Sequence, residues 1–210
     1  MVRQIGGGSV AFLPSSRLLP VPLERGVKRT EPPYRLAFLG RWHPNKGPDL
    51  LLEALSLLTD QEWSRIESVH FAGGGALEPA VRAAVARLQA QGRPVQLEGY
   101  MNADEAAALI GWADYLLLPS RVESIPVIFS DALQAGTPLI ATPVGDLPAL
   151  HRLHEFGVLA RSVTAPDFAR AIATAVSSRP DVFAPALKRL HERFDLDGVV
   201  VELLTQAARG

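Results

Sequence analysis

The chain has 210 residues, with 21 Lys plus Arg against 22 Asp plus Glu and no cysteine. At about 150 residues per domain, that length predicts one domain with an appendage, and the balanced charge argues against a nucleic-acid partner, whose footprint is a basic excess. Without cysteine, disulfides, thiolate nucleophiles and cysteine-ligated zinc are ruled out.

Residues 1–33 read as a linker or arm: they hold the run Gly6-Gly7-Gly8, five prolines and one short apolar stretch, Val10 to Leu13, with room for a single strand. The glycines and Pro14, Pro20 and Pro22 interrupt any signal-peptide core. No apolar run nears the roughly 18 residues of a membrane span, so no transmembrane segment is expected and a cytoplasmic location is the default. Residues 34–210 then settle into an alternation. Arg35–Leu39 is a short apolar run ending in Gly40, and a helix starts at Pro48, with Leu50, Leu51, Ala54, Leu55 and Leu58 on one stripe. Ser68–Ala72 runs into Gly73-Gly74-Gly75 and a helix from about Glu78 to Gln91. Val95–Leu97 leads to Gly99-Tyr100 and a helix opened by Asp104, and Tyr115–Leu118 leads to Pro119-Ser120 and a helix from about Pro126 to Ala135, closed by Gly136. Leu139–Ala141 precedes a short helix near Leu147–Leu153. Gly157–Leu159 is the last strand, and helices follow from about Ala165, Val182 and Leu196. Short apolar runs without polar alternation, interleaved with helices, predict an α/β fold: a doubly wound, Rossmann-like parallel sheet covered on both faces.

In such sheets ligands bind beyond the carboxyl ends of the strands. Arg41 and Lys46 follow the first strand, just before a helix N-terminus, where the dipole disfavours cations. Either an anion lies between them, as exposed helix amides also favour, or both point into water. The Walker spacing is missing. Gly73 and Gly74 either admit a ligand close to the backbone or simply turn the chain. Glu123 precedes the helix that follows the fourth strand, and Asp131 lies about 7–8 Å into it. That pair either grips sugar hydroxyls or serves as a dipole partner and a solvated acid. The histidines show no metal spacing, so no metal site is expected; His151 and His154 read as surface residues, and Trp42, Trp63 and Trp112 as packing.

The order Phe38-Leu39-Gly40-Arg41, Lys46-Gly47, Gly73-Gly74-Gly75, Gly99-Tyr100, Pro119-Ser120, Glu123 with Asp131 eight residues on, and Gly136-Thr137-Pro138 resembles the C-terminal, nucleotide-sugar-binding half of retaining GT-B glycosyltransferases of group 1. Glycogen-synthase-like and sucrose-synthase-like enzymes belong to that group, and the resemblance covers about residues 34–165. It implies that Arg41 and Lys46 hold the donor diphosphate, that Glu123 contacts the transferred hexose and that Asp131 holds the ribose. It also places Tyr100 and Met101 beside the base and the amides around Ile125 and Val127 at the phosphates. Gly40, Gly73, Gly74 and Ser120 complete the implied substrate-binding set. Three departures stand out. Asp131 replaces the usual Glu, and Ser124-Ile125-Pro126 replaces a glycine-aromatic-glycine, with Pro126 lacking an N–H to donate. Residues 1–33 resemble the inter-domain linker rather than the family's acceptor-binding domain.

The implied function is transfer of a hexose from a nucleoside diphosphate sugar, with retention, needing a separate acceptor-binding domain or protein partner. The nucleotide sugar is a substrate, and no cofactor is expected. A non-catalytic module that binds nucleotide sugar or a partner is the alternative, and a sugar epimerase a third reading. The apolar stretch Val199–Leu204 packs on its own domain or docks a partner.

Overall fold

Six apolar runs bounded by glycine and proline become the strands of one sheet in the computed structural model, which describes residues 28–194. The expected strand at Val10–Leu13, the helix from Leu196 and the stretch Val199–Leu204 lie outside those residues. In chain order the elements are β1 (Tyr34–Arg41), a 3₁₀ turn (Pro44–Lys46), α1 (Pro48–Ser56), α2 (Asp60–Trp63), β2 (Ile66–Gly74), α3 (Glu78–Ala90), β3 (Val95–Leu97), α4 (Ala103–Trp112), β4 (Tyr115–Leu118) and α5 (Val127–Ala135). They continue with β5 (Leu139–Ala141), α6 (Leu147–Leu153), β6 (Gly157–Leu159), α7 (Ala165–Val176), a second 3₁₀ turn (Pro180–Phe183) and α8 (Ala184–Arg193). All strand pairs are parallel, in the order β3-β2-β1-β4-β5-β6.

The two-residue strand period divides the core between the faces of this sheet. Leu36, Phe38, Val69, Phe71, Tyr115 and Leu117 meet α1, α3 and α7, whereas Ala37, Ala72, Leu116 and Leu118 meet α4, α5, α6 and α8. Aromatic contacts tie each layer together: Phe38 packs on Phe71 at 4.6 Å, and Phe129 of α5 meets Phe156 at 5.0 Å and Phe194 at 5.5 Å. Burying each such ring contributes about 1.5–3 kcal/mol.

Several boundaries differ from the sequence expectation for local reasons. The fourth helix starts at Ala103 rather than Asp104, because Asn102 caps it in a capping box with Glu105. The helix expected from about Pro126 begins at Val127, with Pro126 as its cap. The helix expected from Val182 is a 3₁₀ turn until Ala184. Thr59 and Glu62 form a second capping box that starts the unanticipated α2. His151 and His154 are half-buried rather than surface residues, and the His151 ring packs edge-on against Phe156 at 5.1 Å, with Nε2 3.1 Å from the Gly157 carbonyl.

The β1–β4 pairing is short. Eight residue pairs join β1 to β2, from Tyr34↔Ile66 to Arg41↔Gly74, but β1 and β4 pair only at Leu36↔Tyr115 and Ala37↔Leu116. Below that seam lies a cluster of charges. Asp114, fully buried, accepts from the Arg35 amide at 2.8 Å, the Arg29 amide at 2.9 Å and the Arg35 guanidinium at 3.1 and 3.2 Å. The Lys28 ammonium donates to the Gly111 and Ala113 carbonyls, at 2.7 and 2.6 Å, and to Thr137 Oγ1 at 2.7 Å. It thereby caps the C-terminus of α4, where a cation is favourable. Burial pulls the Lys28 pKa down to about 8, against the opposing attraction of Asp114.

Candidate functional site

Above the seam, β1 and β4 part company. The chain leaves β1 toward the β2–β3 side and β4 toward the β5–β6 side, so the strand order reverses between them, and a crevice opens at this switch point. It has two lobes that share Leu39, Gly40 and Arg41. The first, of about 530 Å³, runs along the β2 tip and the start of α4, between Gly73, Gly74, Tyr100 and Met101. The second, of about 500 Å³, lies between β1 and α5 and is lined by Lys46, Ser120, Glu123, Ile125, Val127 and Asp131, among others. Every residue put forward from the sequence as catalytic or substrate-binding therefore lies on one lobe or the other.

Each wall has a local cause. Gly73 sits at φ +136°, and a Cβ there would lie 1.9 Å from the Gly40 carbonyl oxygen. Only glycine lets the tips of β1 and β2 approach so closely. Gly47, at φ +66°, closes the 3₁₀ turn with its amide on the Pro44 carbonyl, and its Cα faces Pro119, whose carbonyl oxygen would be 2.0 Å from an added Cβ. The loop carrying Lys46 is thus pressed, backbone to backbone, against the loop carrying Glu123. Glu123 is backed from the other side by the turn after β5: the Asp146 amide bonds the Ser124 carbonyl at 3.2 Å, and the Thr142 hydroxyl donates to the Ser120 carbonyl.

Arg41 is exposed at the end of β1. Lys46 does not point simply into water: it is half-buried and pairs with Glu123, whose carboxylate also accepts from the Ser120 hydroxyl at 3.2 Å. Sequence spacing had offered Lys46 only an outside anion or solvent as its partner. Asp131 is not a solvated acid either; it is fully buried, on the fifth position of α5 at the wall of the second lobe. Val127 and Ile128 occupy the first turn of α5, where amides have no partner within the helix, and the positive end of its dipole faces the same lobe. Tyr100 stands 90% exposed over the first lobe. Trp42 and Trp63 are buried packing residues, as expected, while Trp112 is half-buried between His70 at 4.3 Å and the Arg35 guanidinium at 5.2 Å. His43 was assigned no role from the sequence, yet its Nδ1 accepts from the Asn45 amide at 3.3 Å and caps the turn holding Lys46. Among the described residues, no helix is long and apolar enough to cross a membrane.

A crevice lined by two cations, an open helix end and two acids has the chemistry to hold a diphosphate flanked by hydroxyl-bearing groups. The family profile of glycosyl transferases group 1 matches residues 33–178. A D-inositol 3-phosphate glycosyltransferase of Corynebacterium aurimucosum is 30% identical over 78% of the chain and 38% of its own length. Among solved structures, TarM of S. aureus, in a complex that includes UDP, superposes with a TM-score of 0.70 at 19% identity, over 88% of this chain and 37% of that one. Anabaena HepE in complex with UDP gives 0.66 at 17% identity, over 90% and 50%. The chain spans less than half the length of the curated relatives it matches.

Proposed function

The chain belongs to the glycosyl transferases group 1 family, and from that premise we propose that its crevice binds a nucleoside diphosphate sugar and acts as the donor half of a retaining hexosyltransferase. The acceptor is bound by a further domain or a protein partner. The observation that carries this reading is the convergence of Arg41, Lys46, Glu123, Asp131 and the α5 N-terminus on one crevice at the switch point.

In this reading the base lies in the lobe beside Tyr100 and Met101, the diphosphate between Arg41, Lys46 and the Val127 amide, the ribose near Asp131 and the hexose near Glu123. Transfer breaks the bond from the anomeric carbon to the β-phosphate oxygen and forms one to an acceptor hydroxyl oxygen, whose proton passes to the departing diphosphate. Negative charge then grows on the departing diphosphate, and two cations and a helix end already placed around it stabilise that charge. A phosphate approaching Lys46 competes with Glu123 for the ammonium, so donor binding and the orientation of Glu123 are coupled. Titration of UDP-glucose and GDP-mannose by calorimetry tests the assignment: one of them binds, and Arg41→Ala and Lys46→Ala each weaken it. Affinity indifferent to both substitutions overturns it.

Pro126, which brings no N–H to the cap of α5, favours a second reading in which the crevice binds donor without turning it over. Release of free sugar or glycoside from labelled donor, in the presence of candidate acceptors and partner chains, separates the two.

A further inference from the structure

Lys46 and Glu123 are 77 positions apart in sequence, and what holds their loops together lies outside the crevice. Arg121 does not line either lobe. Its guanidinium donates two parallel bonds to Asp49, Nη1 to Oδ1 at 2.7 Å and Nη2 to Oδ2 at 2.9 Å, and a third from Nη1 to the Pro44 carbonyl at 2.8 Å. Its own amide donates to the Asn45 carbonyl at 2.7 Å. One residue therefore grips the start of the 3₁₀ turn, the residue before Lys46 and the first turn of α1, while standing two positions before Glu123. We propose that Arg121 and Asp49 are positioning residues, a bidentate clamp that sets the spacing between Lys46 and Glu123 and so presents both to one donor molecule.

The chemistry favours a clamp over an incidental surface pair. The planar fork fixes direction as well as distance, which a lysine in its place does not. Asp49 is an unusually steady acceptor. Burial works to raise its carboxyl pKa, but the bonds and charge of Arg121, with the amides of Asp49 and Leu50, outweigh it and hold the group below the usual carboxylate range. The pair is partly exposed, with side chains 35% and 49% accessible, so it adds little to overall stability. Its effect falls on local geometry.

The clamp rests on the donor-site reading, and a double-mutant cycle separates the two. UDP and, in parallel, GDP are titrated into the 210-residue chain by calorimetry, with thermal denaturation as the control on folding. Arg121→Ala and Asp49→Asn each weaken the nucleotide that binds by about tenfold, with Tm moved by no more than about 2 °C. In a Lys46→Ala background the same substitutions add nothing, because they act through Lys46, and Arg121→Lys does not restore affinity. An equal loss in both backgrounds reveals a diffuse structural effect and overturns the clamp, as does an Asp49→Asn chain that binds normally. Should Arg121→Ala fail to fold, the cycle runs on Asp49→Asn alone. Wild type and Lys46→Ala that bind alike, or bind neither nucleotide, sink the donor site and the clamp with it. Weakening by Lys46→Ala alone leaves the site standing and removes only the clamp.

Discussion

β1 and β4 carry a group of cations and acids at each end, and the two groups are built differently. At the amino ends, Asp114 is fully buried and takes hydrogen bonds from two amides and one guanidinium, while Lys28 spends its donors on carbonyls and a hydroxyl. At the carboxyl ends, Lys46 and Glu123 pair directly on the wall of an open crevice, and Arg41 stands in solvent. The same residue types form a closely bonded knot at one end and, at the other, the proposed donor site, where Arg41 stays open to solvent. The strands fix both positions; the difference lies in how completely neighbouring backbone closes around the charges.

If that contrast holds, substitutions at the two ends separate stability from binding. The largest effect is expected at Asp114: replacement by Ala leaves Arg35 and two amides without their acceptor and costs about 3–5 kcal/mol in urea denaturation, with nucleotide affinity of the folded chain unchanged. Lys46→Ala gives the opposite pattern, a loss of about ten- to a hundredfold in nucleotide affinity with stability altered by about 0.5 kcal/mol or less. Lys28→Met uncaps α4 and lowers stability by about 1–2 kcal/mol, again without touching the crevice. The last test is read as a slope. Below pH about 8 the Lys28 ammonium is charged in both folded and unfolded chains; from there to its ordinary 10.5 the folded chain releases the proton first. The folded state therefore gains stability as pH rises through that window. Wild type gains relative to Lys28→Met between about pH 8 and pH 10.5, and parallel curves for the two chains break the assignment of Lys28 to the knot.

The strands were legible because both their faces are buried: Arg35–Leu39 and Tyr115–Leu118 stand out as apolar runs between glycines and prolines. Their parallel order then brings the loops after β1, β2 and β4 to one end of the sheet, and the residues named from those loops all lie along the crevice. The ion pair between Lys46 and Glu123 was not legible, since it depends on two loops meeting across the sheet rather than on any local spacing. Arg121 and Asp49 were missed for the same reason. α2 escaped notice although its signal was present, in the Thr59-x-x-Glu62 capping box. Lys28, read as part of an arm, is tied to the end of α4 and to Thr137 just before β5, by partners 82 to 109 positions away.

The two-rung ladder between β1 and β4 has a bearing on how such a site diversifies. The cations belong to one βα half and the acids to the other, and few backbone bonds cross the boundary. On the proposed donor-site reading, base and sugar recognition sit on separate halves, which the backbone contact at Gly47 and Pro119 keeps in step.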